Sequence, residues 1–196
     1  PYPIQYEVAQ GLDIRRLLYA EDKDRHLSAV ITAAERLQKM GCRAILAECG
    51  YFARYQRTVA AQMKVPVFMS SLLQVPWAQA LVAADRPVGI LMSAADALEA
   101  VHLEAVGIRA GSNYVVGDAM GAGHCPEFDA LWTEGVRPEV PRADYLKAEA
   151  EFLAAATAFH QRLEWVLQEA NGDDEEHCAE RVGIVGQCFG LAHPGS

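Results

Sequence analysis

Arg43-Ala44-Ile45-Leu46-Ala47-Glu48-Cys49-Gly50-Tyr51 is the stretch from which the fold is read. A short apolar run stops at a cysteine, a glycine and an aromatic residue. Read as a buried parallel strand over residues 43–47, it puts Cys49 just past the strand's carboxyl end. Open α/β sheets place their ligand crevices there. A thiol in that position serves as a nucleophile, as a proton carrier or as a small apolar residue, and the stretch alone leaves all three open.

Working outward, residues 21–40 read as a helix. Leu27, Ile31, Ala34 and Leu37 recur at helical spacing with charges on the other face, and Gly41 follows as a C-cap. Residues 1–18 read as irregular, with a turn at Gly11-Leu12-Asp13. Downstream, helices are expected over 52–63, 75–84 and 94–106, and strands over 65–69, 88–92 and 114–116. Pro76 is tolerated in the first turn of its helix. This alternation predicts an α/β protein with a doubly wound parallel sheet and right-handed crossovers. Gly121, Gly123, Pro126, Gly135, Pro138 and Pro141 then punctuate a long connection with one helical turn near 128–132. A long helix is expected over 143–169, with Phe152, Phe159, Leu163 and Val166 as its apolar stripe. Those aromatics read as core rather than as a cofactor box. Residues 182–185 read as a last strand.

The bulk composition suits a globular chain. Of 196 residues, 52% are hydrophobic and 22% charged, enough for a core and too apolar for disorder. A net charge of -9 and a pI near 5.1 argue against a nucleic-acid surface. No apolar run approaches the roughly 20 residues that span a bilayer, and residues 1–7 lack the pattern of a signal peptide. The expectation is a cytoplasmic protein with no nucleic-acid or membrane partner. The five cysteines, at 42, 49, 125, 178 and 188, form no CxxC pair and fit no zinc spacing, so reduced thiols and no metal are expected.

Three strand ends share one pattern, an apolar run followed at once by small polar residues: Leu46-Ala47-Glu48-Cys49-Gly50, Phe68-Met69-Ser70-Ser71 and Leu91-Met92-Ser93. Ile184-Val185-Gly186-Gln187-Cys188 echoes it. Thiols, hydroxyls and free backbone N–H groups at such ends suit a carboxylate ligand. Taken singly, each serine reads first as a helix N-cap. No GxxxxGK[ST] loop, strand-following GxGxxG or GxSxG elbow is present. His124 beside Cys125 carries little weight, because adjacent side chains often point apart. His26, His102 and His160 read as surface or helix-flank residues.

The Cys49 stretch extended to Phe52, with Val65-Pro66-Val67-Phe68-Met69-Ser70-Ser71-Leu72-Leu73-Gln74-Val75-Pro76 and Val88-Gly89-Ile90-Leu91, resembles the aspartate/glutamate racemase superfamily, in its uncharacterised branch. The resemblance runs over residues 1–159. It implies two pseudo-symmetric α/β lobes with an active site between them, here residues 1–84 carrying Cys49 and residues 85–196 ending in an irregular tail. It implies a cofactor-independent racemase or isomerase that moves a proton at the α-carbon of a small carboxylate or amino acid, and a homodimer. Cys49 is then the acid/base, and Gly50, Tyr51, Ser70, Ser71 and Ser93 line the substrate. An α-proton is weakly acidic, so the base must be activated and the carbanion stabilised. A thiolate near helix N-termini suits that task.

The family pattern is departed from in three places. Its first strand is expected before Pro1, and the Asn-Thr that commonly follows the first cysteine is Gly50-Tyr51 here. The resemblance implies a second catalytic cysteine from the other lobe, after an apolar strand; Cys178 lies in acidic sequence, and Cys188, the catalytic candidate beside Cys49, follows a better strand yet comes late. An altered or abnormally ended chain beyond about residue 163 is expected on that ground. Two other readings stand beside the racemase: a single-cysteine decarboxylase or maleate-isomerase-like enzyme, and a non-catalytic carboxylate-binding protein or inactive fragment.

Overall fold

The computed structural model describes residues 3–47, 49–121, 125–133, 140–171 and 184–186, with side chains as far as Leu163 apart from Thr133. In chain order the elements are α1 (Ile14–Tyr19), α2 (Leu27–Lys39), β1 (Ile45–Leu46), α3 (Gln56–Gln62), β2 (Val67–Phe68), α4 (Gln74–Leu81), β3 (Val88–Met92), α5 (Ala100–Ala105), β4 (Tyr114–Asp118), α6 (Pro126–Thr133), α7 (Arg142–Asn171) and β5 (Ile184–Gly186). Short 3-10 turns precede α2, α3 and α4, notably Gly50–Tyr55, which runs directly into α3. The protein is a mixed α/β structure with short parallel strands. As far as the described residues go, the chain forms two compact units, Pro1–Leu73 with Glu99–Ile108, and Gln74–Leu98 with Arg109–Gln187.

In the first unit, α1 follows directly on the turn that ends at Asp13. The Asp13 carboxylate accepts from Arg16 N–H at 2.9 Å, an N-cap that starts a helix inside the segment expected to be irregular. Leu17 and Leu18 anchor it by burial. Helix α2 buries Val30 and Ala34, with Leu27, Ile31 and Leu37 half-buried beside them. It ends in a Schellman motif. Gly41 adopts φ 89°, Gly41 N–H donates to Gln38 O at 3.0 Å and Cys42 N–H to Leu37 O at 3.1 Å.

Strands β1 and β2 pair in parallel, Ile45 beside Val67 and Leu46 beside Phe68. Ile45 and Val67 face the core, whereas Leu46 is 70% and Phe68 48% exposed. The expected strand buried on both faces is therefore a shorter pair buried on one. The other edge of β2 is taken by a side chain. The Gln56 amide donates to Val67 O at 3.0 Å and accepts from Met69 N–H at 2.8 Å, as a neighbouring strand would.

In the second unit β3 is central, with parallel neighbours β4 and β5. All five of its residues are buried, so here the uninterrupted apolar run does mark a fully covered strand. Helix α7 packs on this sheet through Phe159 and Leu163. A Cβ built on Gly117 would lie 2.6 Å from the Phe159 ring, and one on Gly89 2.5 Å from Leu163. The two glycines are thus the floor on which those side chains rest. Ala148, Ala155, Phe159 and Leu163 are the buried stripe of α7, and Phe152 meets Phe128 at 5.2 Å between ring centroids. The expected single turn near 128–132 is a full helix, α6. Its first N–H groups are capped from α7, where Glu151 accepts from Glu127 N–H at 2.8 Å and Phe128 N–H at 3.2 Å.

Among the described residues no helix is long and apolar enough to cross a membrane.

Candidate active site

Cys49 is placed by the end of β1. Its backbone is extended (φ -116°, ψ 129°), and it is the N-cap of the 3-10 turn Gly50–Tyr55, with its carbonyl accepting from Phe52 N–H at 3.0 Å. The thiol is free of any disulfide and the residue is half-buried.

The turn after it is held rigidly. Ser70, at the end of β2, donates its hydroxyl to Gly50 O at 2.7 Å and accepts from Leu72 N–H at 3.1 Å. One side chain therefore stitches the two neighbouring strand ends together and caps the 3-10 turn Ser71–Leu73. Ser71 is half-buried at the head of that turn. Tyr51 is wholly buried, its ring edge-on to His102 at 5.9 Å between centroids. Any contribution of Tyr51 to a ligand thus comes from its backbone.

Cys49, Gly50, Tyr51, Ser70 and Ser71 share the first unit, at the ends of paired strands. Ser93 belongs to the second unit, where it is fully buried just after β3 and its carbonyl accepts from Met120 N–H at 3.1 Å. In that unit Asp118, the last residue of β4, accepts from Met120, Gly121 and Ala95 N–H at 3.0, 2.7 and 3.3 Å, tying the two strand-end loops together. Cys188, Cys178 and His124 lie outside the described residues. Cys125 is buried, and burial, with Glu151 nearby, pushes its thiol up. It suits packing rather than proton transfer.

A polar cluster behind the Cys49 turn has no counterpart in the sequence reading. The Arg54 guanidinium donates to Asp24 Oδ1 from Nε and Nη2 at 3.3 and 3.0 Å, and its Nη1 lies 3.6 Å from Glu99 Oε2. Lys23 Nζ pairs with Glu99 Oε1, and Tyr55 donates its hydroxyl to Lys23 O at 2.7 Å. His102 Nδ1 accepts from Glu99 N–H at 3.0 Å while the Glu99 side chain caps His102 N–H, a reciprocal cap at the start of α5. His102, read as a surface or helix-flank residue, is wholly buried. Burial, reinforced by Arg54 and Lys23, lowers its pKa to about 4. Burial and the Arg54 charge likewise depress Lys23. The spacing Glu99-x-x-His102 hinted at the cap, but nothing local could announce that Lys23 and Arg54 meet it.

The site is therefore a strand-end thiol on a pinned turn in an α/β protein. Against known proteins, the chain is similar to dimethylsulfoniopropionate lyase 3 of Emiliania huxleyi (strain CCMP1516), 30% identical over 98 residues, 50% of this chain and 26% of that protein. Dimethylsulfoniopropionate lyase 6 of the same organism matches at 30% with the same coverage, and lyase 7 at 29% over 98 residues, 29% of its length. The chain spans between a quarter and a third of the length of these relatives. No family model matches the chain, and no solved structure does.

These relatives correct the expected activity. The racemase or isomerase, and the amino-acid metabolism that went with it, give way to similarity with lyases. The chemistry explains the misreading. Racemases and carboxylate lyases both begin by loosening a hydrogen α to a carboxylate, so both call for an activated base at the same kind of site. They differ in where the electron pair goes next.

Proposed function

We propose that this chain carries the base of a carbon–sulfur lyase acting on a small β-sulfonio carboxylate of the dimethylsulfoniopropionate type. The observation that carries it is a half-buried cysteine at the end of β1 in a chain similar to lyases of that substrate. In the reaction the Cys49 thiolate takes the proton from the carbon next to the carboxylate. The C–H pair becomes the new carbon–carbon double bond, and the β-carbon–sulfur bond breaks with its pair going to sulfur. A sulfonium so cleaved leaves as a neutral sulfide and needs no acid to assist it. The products are dimethyl sulfide and acrylate, and the proton on Cys49 passes to solvent.

This chemistry gives a lone cysteine a complete task. A racemase needs a second acid on the opposite face, whereas an elimination with a neutral leaving group needs one base. Negative charge developing on the carboxylate in the transition state calls for donors, a role for the backbone N–H groups of Gly50 and Tyr51. The Ser70 hydrogen bond to Gly50 O keeps those groups in place. The resemblance to the aspartate/glutamate racemase superfamily is kept as a proposal about fold and site, including its two similar lobes and Cys49 as the first-lobe thiol. The parallel pairs β1–β2 and β3–β4, each with polar residues at the strand ends, support it.

The test is release of dimethyl sulfide into the headspace when the protein meets dimethylsulfoniopropionate. Cys49→Ser should lower the rate roughly 10²- to 10⁴-fold, the ordinary contribution of a positioned base. An undiminished rate in that variant would remove Cys49 from the mechanism.

A further inference from the structure

The cluster behind the Cys49 turn holds two buried donors with no acceptor among the described residues. Arg54 Nη1 and His102 Nε2 are both shielded from solvent without a hydrogen-bond partner. We propose that Lys23, Arg54 and His102 form a binding site for a small carboxylate, closed in this conformation by the Glu99 side chain.

The donors are set for an anion. His102 Nδ1 accepts from Glu99 N–H, so the ring proton of the neutral imidazole sits on Nε2 and makes that nitrogen a donor. Arg54 commits Nε and Nη2 to Asp24, and its Nη1 stands 3.6 Å from Glu99 Oε2, beyond hydrogen-bond reach. Leaving buried donors unfilled beside two cations is costly, and a carboxylate is the kind of acceptor that relieves it.

The charges point the same way. The Lys23 and Arg54 side chains are each only 9% exposed, while Asp24, at 74%, is largely in water and offsets little of the buried positive charge. Among the described residues Glu99 is the counter-charge that pairs with both cations, and at 45% exposed its side chain has room to swing outward. A ligand carboxylate entering beside it, or in its place, exchanges one carboxylate for another.

The site is separate from the thiol. Four residues of the 3-10 helix lie between Cys49 and Arg54, a rise of roughly 10 Å over the five steps. Binding here does not depend on elimination at Cys49.

Propionate is the probe, titrated into the full chain and followed by the NMR signals of the His102 imidazole and by thermal shift. Saturable movement of the His102 signals is expected in the wild type. Glu99→Gln, which keeps a capping oxygen but loses the competing charge, should bind about tenfold more tightly. Lys23→Met should bind at least about tenfold more weakly for want of one charged donor. Cys49→Ser, which ends the proposed elimination, should bind like the wild type, so this site stands or falls apart from the lyase reading. Wild-type His102 signals that ignore propionate overturn the proposal, as does unchanged binding in a Lys23→Met protein that retains its native circular dichroism. Should either variant fail to fold, the wild-type titration decides.

Discussion

Ser70 and His102 show how single side chains hold the Cys49 turn. The Ser70 hydroxyl satisfies one backbone acceptor and one backbone donor in a buried setting. Ser70→Ala leaves both unmatched, and urea unfolding should read a loss of about 1–3 kcal/mol. His102 makes the fold sensitive to acid. Its pKa is about 4 when folded against an ordinary 6.5. Above pH 6.5 the imidazole is neutral in both states and contributes nothing to the pH dependence. As the pH falls toward 4 the unfolded chain takes up the proton first, so stability declines across that window and levels off below it. The decline attributable to His102 is on the order of 2–3 kcal/mol, measurable as the difference between pH 7 and pH 4 urea midpoints that shrinks in His102→Asn. Of these roles only the Ser70 cap was legible in the sequence. A serine after a strand reads as a cap, which Ser70 is, but its bond to Gly50 O joins residues 20 apart. A lone helical histidine reads as exposed until its tertiary neighbours are known.

Elements were legible in proportion to how locally they are determined. The end of α2 at Gly41 follows from residues 37–42 alone, because only a residue at ease with φ 89° closes a Schellman motif. Strand β3 matched its apolar run because every residue of that run is buried. β1 and β2 did not, since an apolar run cannot say that Leu46 and Phe68 stay exposed. Helix α6 is longer than its sequence suggested because its cap, Glu151, arrives from α7. The packing of α7 on β3 and β4 yields a sharp prediction. Gly117→Ala drives a methyl group into the Phe159 ring, and thermal or urea unfolding should show a loss of about 1–3 kcal/mol. Pairing it with Phe159→Leu should recover part of that loss if the clash is the cause.

For the whole molecule, the α/β class with parallel strands was legible from alternating apolar runs and amphipathic segments. Of the proposed chemistry, the sequence suggests only the first step. A strand-end thiol in the motif around Cys49 points to proton removal next to a carboxylate, and nothing in those residues tells whether the proton returns or a β-substituent departs. The proposal that a β-substituent departs draws on the similarity to dimethylsulfoniopropionate lyases. The most direct measurement is therefore the fate of substrate in deuterated water, with dimethyl sulfide read in the headspace and the residual acid by NMR. Dimethyl sulfide and acrylate in equal amounts are expected from the wild type, with a rate roughly 10²- to 10⁴-fold lower in Cys49→Ser. Undiminished release from Cys49→Ser, or deuterium entering the α-carbon with no sulfide released at all, would contradict it.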